Sequence, residues 1–231
     1  MTPAGTTPPR SNGPGEPVRP MRLVYLHGFA SGPGSTKASC FHTRLAGRGL
    51  ALAVPDLAPD FACTTIGSQL AIADEAVGDG PAVVFGSSLG GWLATLLAAR
   101  RPQAVAALVL FAPAFGFAAR WQARLGAEVV ARWRAQGVLP MYHYAAGREV
   151  PLRIGFLDDA VGWPPAPDIP CPALVHAGRF DDLVPLDAIA PWAAARPGRE
   201  LVVWESGHEL GDVLEAMWQR TAGWLASRAL A

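Results

Sequence analysis

The chain has 231 residues, 51% of them hydrophobic and 16% charged, which suits one well-cored domain or two small ones. Nineteen Lys and Arg balance nineteen Asp and Glu, so there is no strong global field and no basic cluster fit to grip a nucleic-acid backbone. The longest apolar runs, such as Val105 to Ala114, fall well short of the ~20 residues that span a bilayer.

Met1 to Pro20 holds six prolines and three glycines and no continuous apolar run, so it lacks the core of a signal peptide. It has too little apolar surface to offset its ordering entropy and is expected to be a disordered tail, leaving residues 21–231 as one domain. Met21, directly before the first strand, is a second candidate start. The cysteines Cys40, Cys63 and Cys171 are odd in number and scattered, with no C-x-x-C or Cys/His ligand spacing. They read as reduced, mostly buried thiols with no metal site, which suits the cytoplasm.

From Arg22 onward, short apolar runs alternate with amphipathic ones. Strand Leu23–Leu26 leads into His27-Gly28-Phe29 and a loop with further glycines at 32 and 34. Neither G-x-G-x-x-G nor the P-loop pattern is present, so the loop does not read as a phosphate cradle. A helix over about Thr36–Arg48, a strand over Ala51–Val54 and a helix over about Thr65–Val77 follow. Strand Ala82–Phe85 then runs into Gly86-Ser87-Ser88-Leu89-Gly90-Gly91 and a helix to Arg100.

That last passage fits G-x-S-x-G between a strand and a helix, the setting in which a serine sits on a sharp, exposed turn. The helix N-terminus is then aimed at the point where negative charge develops. Ser88 is the candidate nucleophile, and Ser87 lies one residue before the tip. An acyl-transfer site also needs two N–H donors for the oxyanion. Leu89 follows the nucleophile, and Phe29 lies in the loop after the first strand, so their amides are the candidates. His27 reads as a hydrogen-bonded anchor for that loop.

After strand Val105–Phe111 the segment from Pro113 to Pro170 runs to 58 residues, far beyond an ordinary strand-to-helix link. Phe117, Trp121, Leu125, Val129 and Trp133 recur every fourth residue, which predicts one amphipathic helix. The remainder, through Met141, Tyr142, Tyr144 and Trp163, is aromatic and Pro-rich without clear periodicity. The whole of about 114–170 reads as a small cap insertion, or alternatively as a peripheral helix and loop. Tyr144 and Trp163 are its candidate substrate-binding residues.

Strand Ala173–His176 is followed by Gly178-Arg179-Phe180-Asp181-Asp182-Leu183-Val184-Pro185, where Asp181 and Asp182 compete for the role of orienting carboxylate. A helix over Leu186–Ala194 and strand Leu201–Trp204 lead to Gly207-His208-Glu209-Leu210 and a last helix over Gly211–Leu230. Of five histidines, His208 follows strand Leu201–Trp204 at its C-terminal end, where open α/β sheets place their sites, and His27 is already read as the loop's anchor. His42 falls in a helix, His176 in a buried strand and His143 in the insertion. Near-continuous apolar strands alternating with helices predict a mostly parallel sheet of about six strands, covered on both faces.

Three separated motifs carry a family resemblance. Tyr25-Leu26-His27-Gly28-Phe29 with Ser35-Thr36-Lys37-Ala38, Gly86 to Gly91, and Gly207 to Leu210 resemble small bacterial serine esterases of the YqiA type. More broadly, Arg22 to Leu230 resembles the α/β-hydrolase superfamily, whose G-x-x-D-x-x-V-P turn assigns the carboxylate to Asp181 and leaves Asp182 to solvent or to a helix cap. Phe115–Trp163 does not align residue by residue. The resemblance implies a cofactor-free hydrolase of small-molecule esters or thioesters with Ser88, Asp181 and His208 as its triad. A catalytically silent ligand-binding protein on the same fold is the alternative reading.

Overall fold

The computed structural model describes residues 20–230. The tail expected over Met1–Pro20 lies outside them, apart from Pro20. Six strands form one sheet: β1 (Arg22–Leu26), β2 (Leu52–Ala53), β3 (Ala82–Ser87), β4 (Val105–Phe111), β7 (Ala173–Gly178) and β8 (Arg199–Trp204). Their order is β2-β1-β3-β4-β7-β8, and every neighbouring pair is parallel. The order reverses between β1 and β3, which opens a crevice at their C-terminal ends.

The pleat sorts each strand between two cores. Val24, Leu26, Val84, Leu108 and Leu110 face one side, packing on α2 (Ile66–Val77), α3 (Leu89–Arg100) and α7 (Leu186–Ala194). Leu23, Tyr25, Val83, Phe85 and Val109 face the other, against α1 (Thr36–Ala46) and α8 (Leu214–Ala226). Helix α3 is buried on nearly all its faces, so its start is fixed firmly beneath the crevice.

Between β4 and β7 lie α4 (Phe117–Leu125), α5 (Ala127–Gln136), the antiparallel hairpin β5 (Val138–His143) and β6 (Arg148–Arg153), and α6 (Gly155–Val161). The single helix expected here is broken in two. Gly126 sits between the halves at φ 81°, a region open to glycine and costly for other residues. The final helix is likewise shorter than expected. Leu210 adopts φ 53° and a 3-10 turn spans Gly211–Val213 before α8 begins.

The cysteines also differ from expectation. All three are free, but Cys63 is exposed and Cys40 and Cys171 are half-buried, so none is a core thiol. Among the described residues no helix is long and apolar enough to cross a membrane.

Candidate active site

Each element of the site stands at the C-terminal end of a strand. Ser88 follows β3 at φ 52° and ψ −115°, a strained conformation for a residue with a Cβ. The turn is possible because its flanking glycines let backbones touch. A Cβ on Gly86 would overlap the Gly90 carbonyl, and one on Gly90 would overlap the Leu26 carbonyl. The Ser88 amide donates to the Phe111 carbonyl at 2.8 Å, and the Ser88 carbonyl accepts from Ala114 at 3.0 Å, tying the turn to β4. Ser87 stays buried beneath the tip, at 7% exposure.

Other strained residues surround this one. Five non-glycine residues among those described have positive φ, and four of them (Ala30, Ser88, Ala112 and Leu210) lie just past β1, β3, β4 and β8. Strain concentrated at one edge of a sheet is the pattern expected of a functional site.

The three side chains named from sequence form one hydrogen-bonded chain. His208 Nε2 lies 3.0 Å from Ser88 Oγ, and its Nδ1 lies 2.7 Å from Asp181 Oδ2. The Asp181 side chain is fully buried, and its Oδ1 accepts from the Leu183 and Val184 amides at 2.9 and 2.7 Å. With the carboxylate accepting from Nδ1–H, Nε2 is left to accept the Ser88 hydroxyl proton. Asp182, its rival in the sequence, is exposed, and α7 has no side-chain cap, so the capping role considered for Asp182 is not filled.

The loop after β1 packs against the Ser88 turn. Gly28 packs so closely that a Cβ on it would stand 3.6 Å from Ser88 Cβ. The loop is anchored by His27, whose Nε2 accepts from the Leu57 amide at 3.1 Å, leaving Nδ1–H to donate to the Gly28 carbonyl at 3.0 Å. Burial lowers the His27 pKa, so the ring stays neutral and serves as the expected anchor. Among the described residues, neither the Phe29 nor the Leu89 amide is paired with an acceptor.

Of the substrate-contact candidates, Tyr144 is tied to the loop after β1. Tyr144 donates its amide to the Ala30 carbonyl at 2.8 Å, which sets the hairpin tip on the Phe29 loop, but its ring is 74% exposed. Trp163 donates its Nε1–H to Asp159 at 3.2 Å and lies 5.4 Å from the Arg100 guanidinium, while the next residue, Pro164, accepts from Trp92 Nε1 at 2.9 Å. The aromatics that do flank the site are Phe117 and Trp121, with ring centroids 6.2 and 5.1 Å from Phe29. Their four-residue spacing was legible, but the side they face was not.

Lys37 is a further contributor, noticed in the sequence only as part of a motif. It is 8% exposed on α1, and its Nζ donates to the Glu209 carbonyl at 2.6 Å, directly after His208.

Comparison with known proteins agrees with this architecture. The chain is 41% identical over 108 residues to the lipase LipV of Mycobacterium tuberculosis, which covers 42% of this chain and 39% of that protein. It therefore spans about two fifths of the length of that curated relative. Mouse alpha/beta hydrolase domain-containing protein 10 superposes with a TM-score of 0.71 at 22% identity, covering 91% of this chain and 90% of that one. Est1E of Butyrivibrio proteoclasticus, with ferulic acid bound, gives 0.69 at 20% identity, with 90% of each chain covered. These likenesses establish an α/β-hydrolase fold. The family model described as Uncharacterised protein family (UPF0227) matches residues 22–222, and the chain belongs to that family.

Proposed function

We propose that this protein is a serine hydrolase that cleaves carboxylic esters or thioesters through an acyl-enzyme. The observation that carries the reading is the unbroken chain from Ser88 Oγ through His208 to the buried Asp181, set on a strained strand–turn–helix. Ser88 Oγ attacks the carbonyl carbon as His208 Nε2 takes its proton, and Asp181 stabilises the imidazolium. The amides of Phe29 and Leu89 hold the oxyanion until the C–O or C–S bond breaks, with His208 returning the proton to the leaving group. Water then repeats the sequence and frees the acid. No step calls on a metal or cofactor.

Residues 114–170 act in this reading as a cap, with Phe117 and Trp121 offering an apolar wall to the substrate. The lipase name of LipV agrees with an ester substrate. The free thiols suit the reducing cytoplasm, where we place the protein.

A fluorophosphonate probe separates this reading from a silent binding protein. A single adduct on Ser88 is expected by mass spectrometry, absent in Ser88→Ala. Label on Ser87, or none on folded protein, overturns the proposal.

A further inference from the structure

Arg120 on α4 has a role that the acyl-enzyme steps do not use. Its Nε and Nη1 are buried and have no hydrogen-bond partner. The contrast is Arg199, a buried guanidinium whose Nη atoms reach the Trp192 and Ile169 carbonyls and Asp168, with Trp192 stacked beneath it. Arg199 Nε also lacks a partner, but both of its Nη atoms are paired, whereas neither buried nitrogen of Arg120 is.

Its surroundings place Arg120 under α4, on the side of the site. Phe117, Arg120 and Trp121 are three and four residues apart and so share a helix face. Phe117 and Trp121 direct that face onto Phe29, one of the two proposed oxyanion donors. Helix α4 begins three residues after Ala114, whose amide donates to the Ser88 carbonyl, and Phe115 packs on Trp192 of α7 with rings 4.8 Å apart.

Burial lowers the Arg120 pKa, and the fields of Asp181 and Asp187 act against it. Among the described residues, however, no carboxylate comes within ion-pairing distance of Arg120. Asp181 already serves His208, Leu183 and Val184, and Asp187 is exposed at the start of α7. Guanidinium nitrogens withdrawn from water without a partner are costly, as Nε and Nη1 of the half-buried Arg120 are, and a planar carboxylate matches the guanidinium fork.

We propose that Arg120 is the anion-recognition residue of this site, binding a carboxylate carried by the substrate on its acyl part or its leaving group. The inference rests on the serine-hydrolase reading and narrows it to esters or thioesters with a carboxylate at one end. Phe117 and Trp121 would then line the apolar stretch between the scissile carbonyl and that charge.

The test compares mono-(4-nitrophenyl) adipate, with an acyl-side carboxylate, and 4-carboxyphenyl hexanoate, with a leaving-group carboxylate, against 4-nitrophenyl hexanoate. In Arg120→Met the kcat/KM ratio of anionic to neutral substrate should fall roughly 10- to 100-fold for at least one anionic probe. Arg120→Lys, which keeps the charge but not the fork, should fall between. Ratios within twofold of the wild type for both probes overturn the inference, including the case where all three rates fall together because Arg120 acts through Asp181. A catalysis-independent arm measures Tm of Ser88→Ala with each anionic probe added. If the wild type hydrolyses none of the substrates, the serine-hydrolase reading fails and this arm decides alone. A Tm rise lost on adding Arg120→Met upholds the anion site, and an equal rise or none overturns it.

Discussion

Asp181 and Asp182 are neighbours in sequence with opposite surroundings, one fully buried with three hydrogen bonds and the other facing solvent. Asp181→Asn keeps the shape but can present an NH₂ to His208 Nδ1. The imidazole proton then shifts to Nε2, and Ser88 loses its acceptor. In a comparable triad that change lowers kcat by about 10⁴-fold, and a loss of that order is expected in steady-state assays. Asp182→Asn, which disturbs no partner, should leave kcat within about twofold and stability within about 0.5 kcal/mol. Comparable losses in the two variants would leave the orienting carboxylate unassigned. Lys37 acts at one remove. Lys37→Met strips the Glu209 carbonyl of its donor while keeping most of the apolar stem, so about 1–3 kcal/mol of loop stabilisation should go. The expected signature is a lower kcat with little change in KM, because His208 is displaced rather than the substrate. A change confined to Tm would reduce Lys37 to a structural role.

At the scale of elements, the connection between β4 and β7 is the proposed cap that would decide what reaches Ser88. Trp121 touches Phe29, Phe117, Phe156 and Trp133, with ring centroids 5.1 to 5.5 Å apart, whereas Trp163 lies by Arg100. Trp121→Ala should therefore shift preference among 4-nitrophenyl esters of different acyl length, and Trp163→Phe should not. A shift in the second variant alone would mean that the acyl chain runs along α3 instead. The sequence carried the six strands and the flanking helices because each was a run of one periodicity, and it singled out Ser88 and His208, which the fold brings into contact, because each lies at or shortly past the C-terminal end of a strand. It did not carry the break at Gly126, since apolar residues every fourth position pass through that glycine unchanged. The hairpin was hidden by Pro140 and Pro151, which stand opposite each other in its two strands and argue locally against a strand. Arg120 was invisible for another reason. Nothing near it in the chain marks it, and its lack of a partner exists only once α4 has been folded over the sheet.

For the whole molecule, the crevice between β1 and β3 positions the chemistry, but stability rests on the sheet behind it, where His176 gives a measurable handle. His176 on β7 is fully buried, stacked on Phe111 and Trp204 with centroids 5.4 and 5.9 Å away. Trp204 Nε1 can only donate, and it reaches His176 Nδ1 at 3.1 Å, so the ring proton sits on Nε2 and faces Thr221 of α8 at 3.0 Å. Burial, with a smaller push from Arg220, lowers its pKa to about 3. Near pH 7 the ring is neutral in both states and contributes no pH dependence. Below the unfolded value of about 6.5 the unfolded chain takes up a proton that the folded protein refuses, so stability falls as the pH drops towards 3. One proton sets the slope at no more than about 1.4 kcal/mol per pH unit. Carboxylates add their own acid dependence, so the informative quantity is a difference between variants. His176→Gln keeps polar atoms for Trp204 and Thr221 but cannot titrate. Denaturant melts from pH 7 to 4 should show the variant losing stability less steeply than the wild type, with the gap opening below about pH 6.5. Because β7, β8 and α8 meet at this ring, the effect should appear in the global transition and not as a separate local phase. Parallel pH profiles for the two proteins would mean that His176 gains its proton without unfolding, and would contradict its sealed position between the sheet and α8.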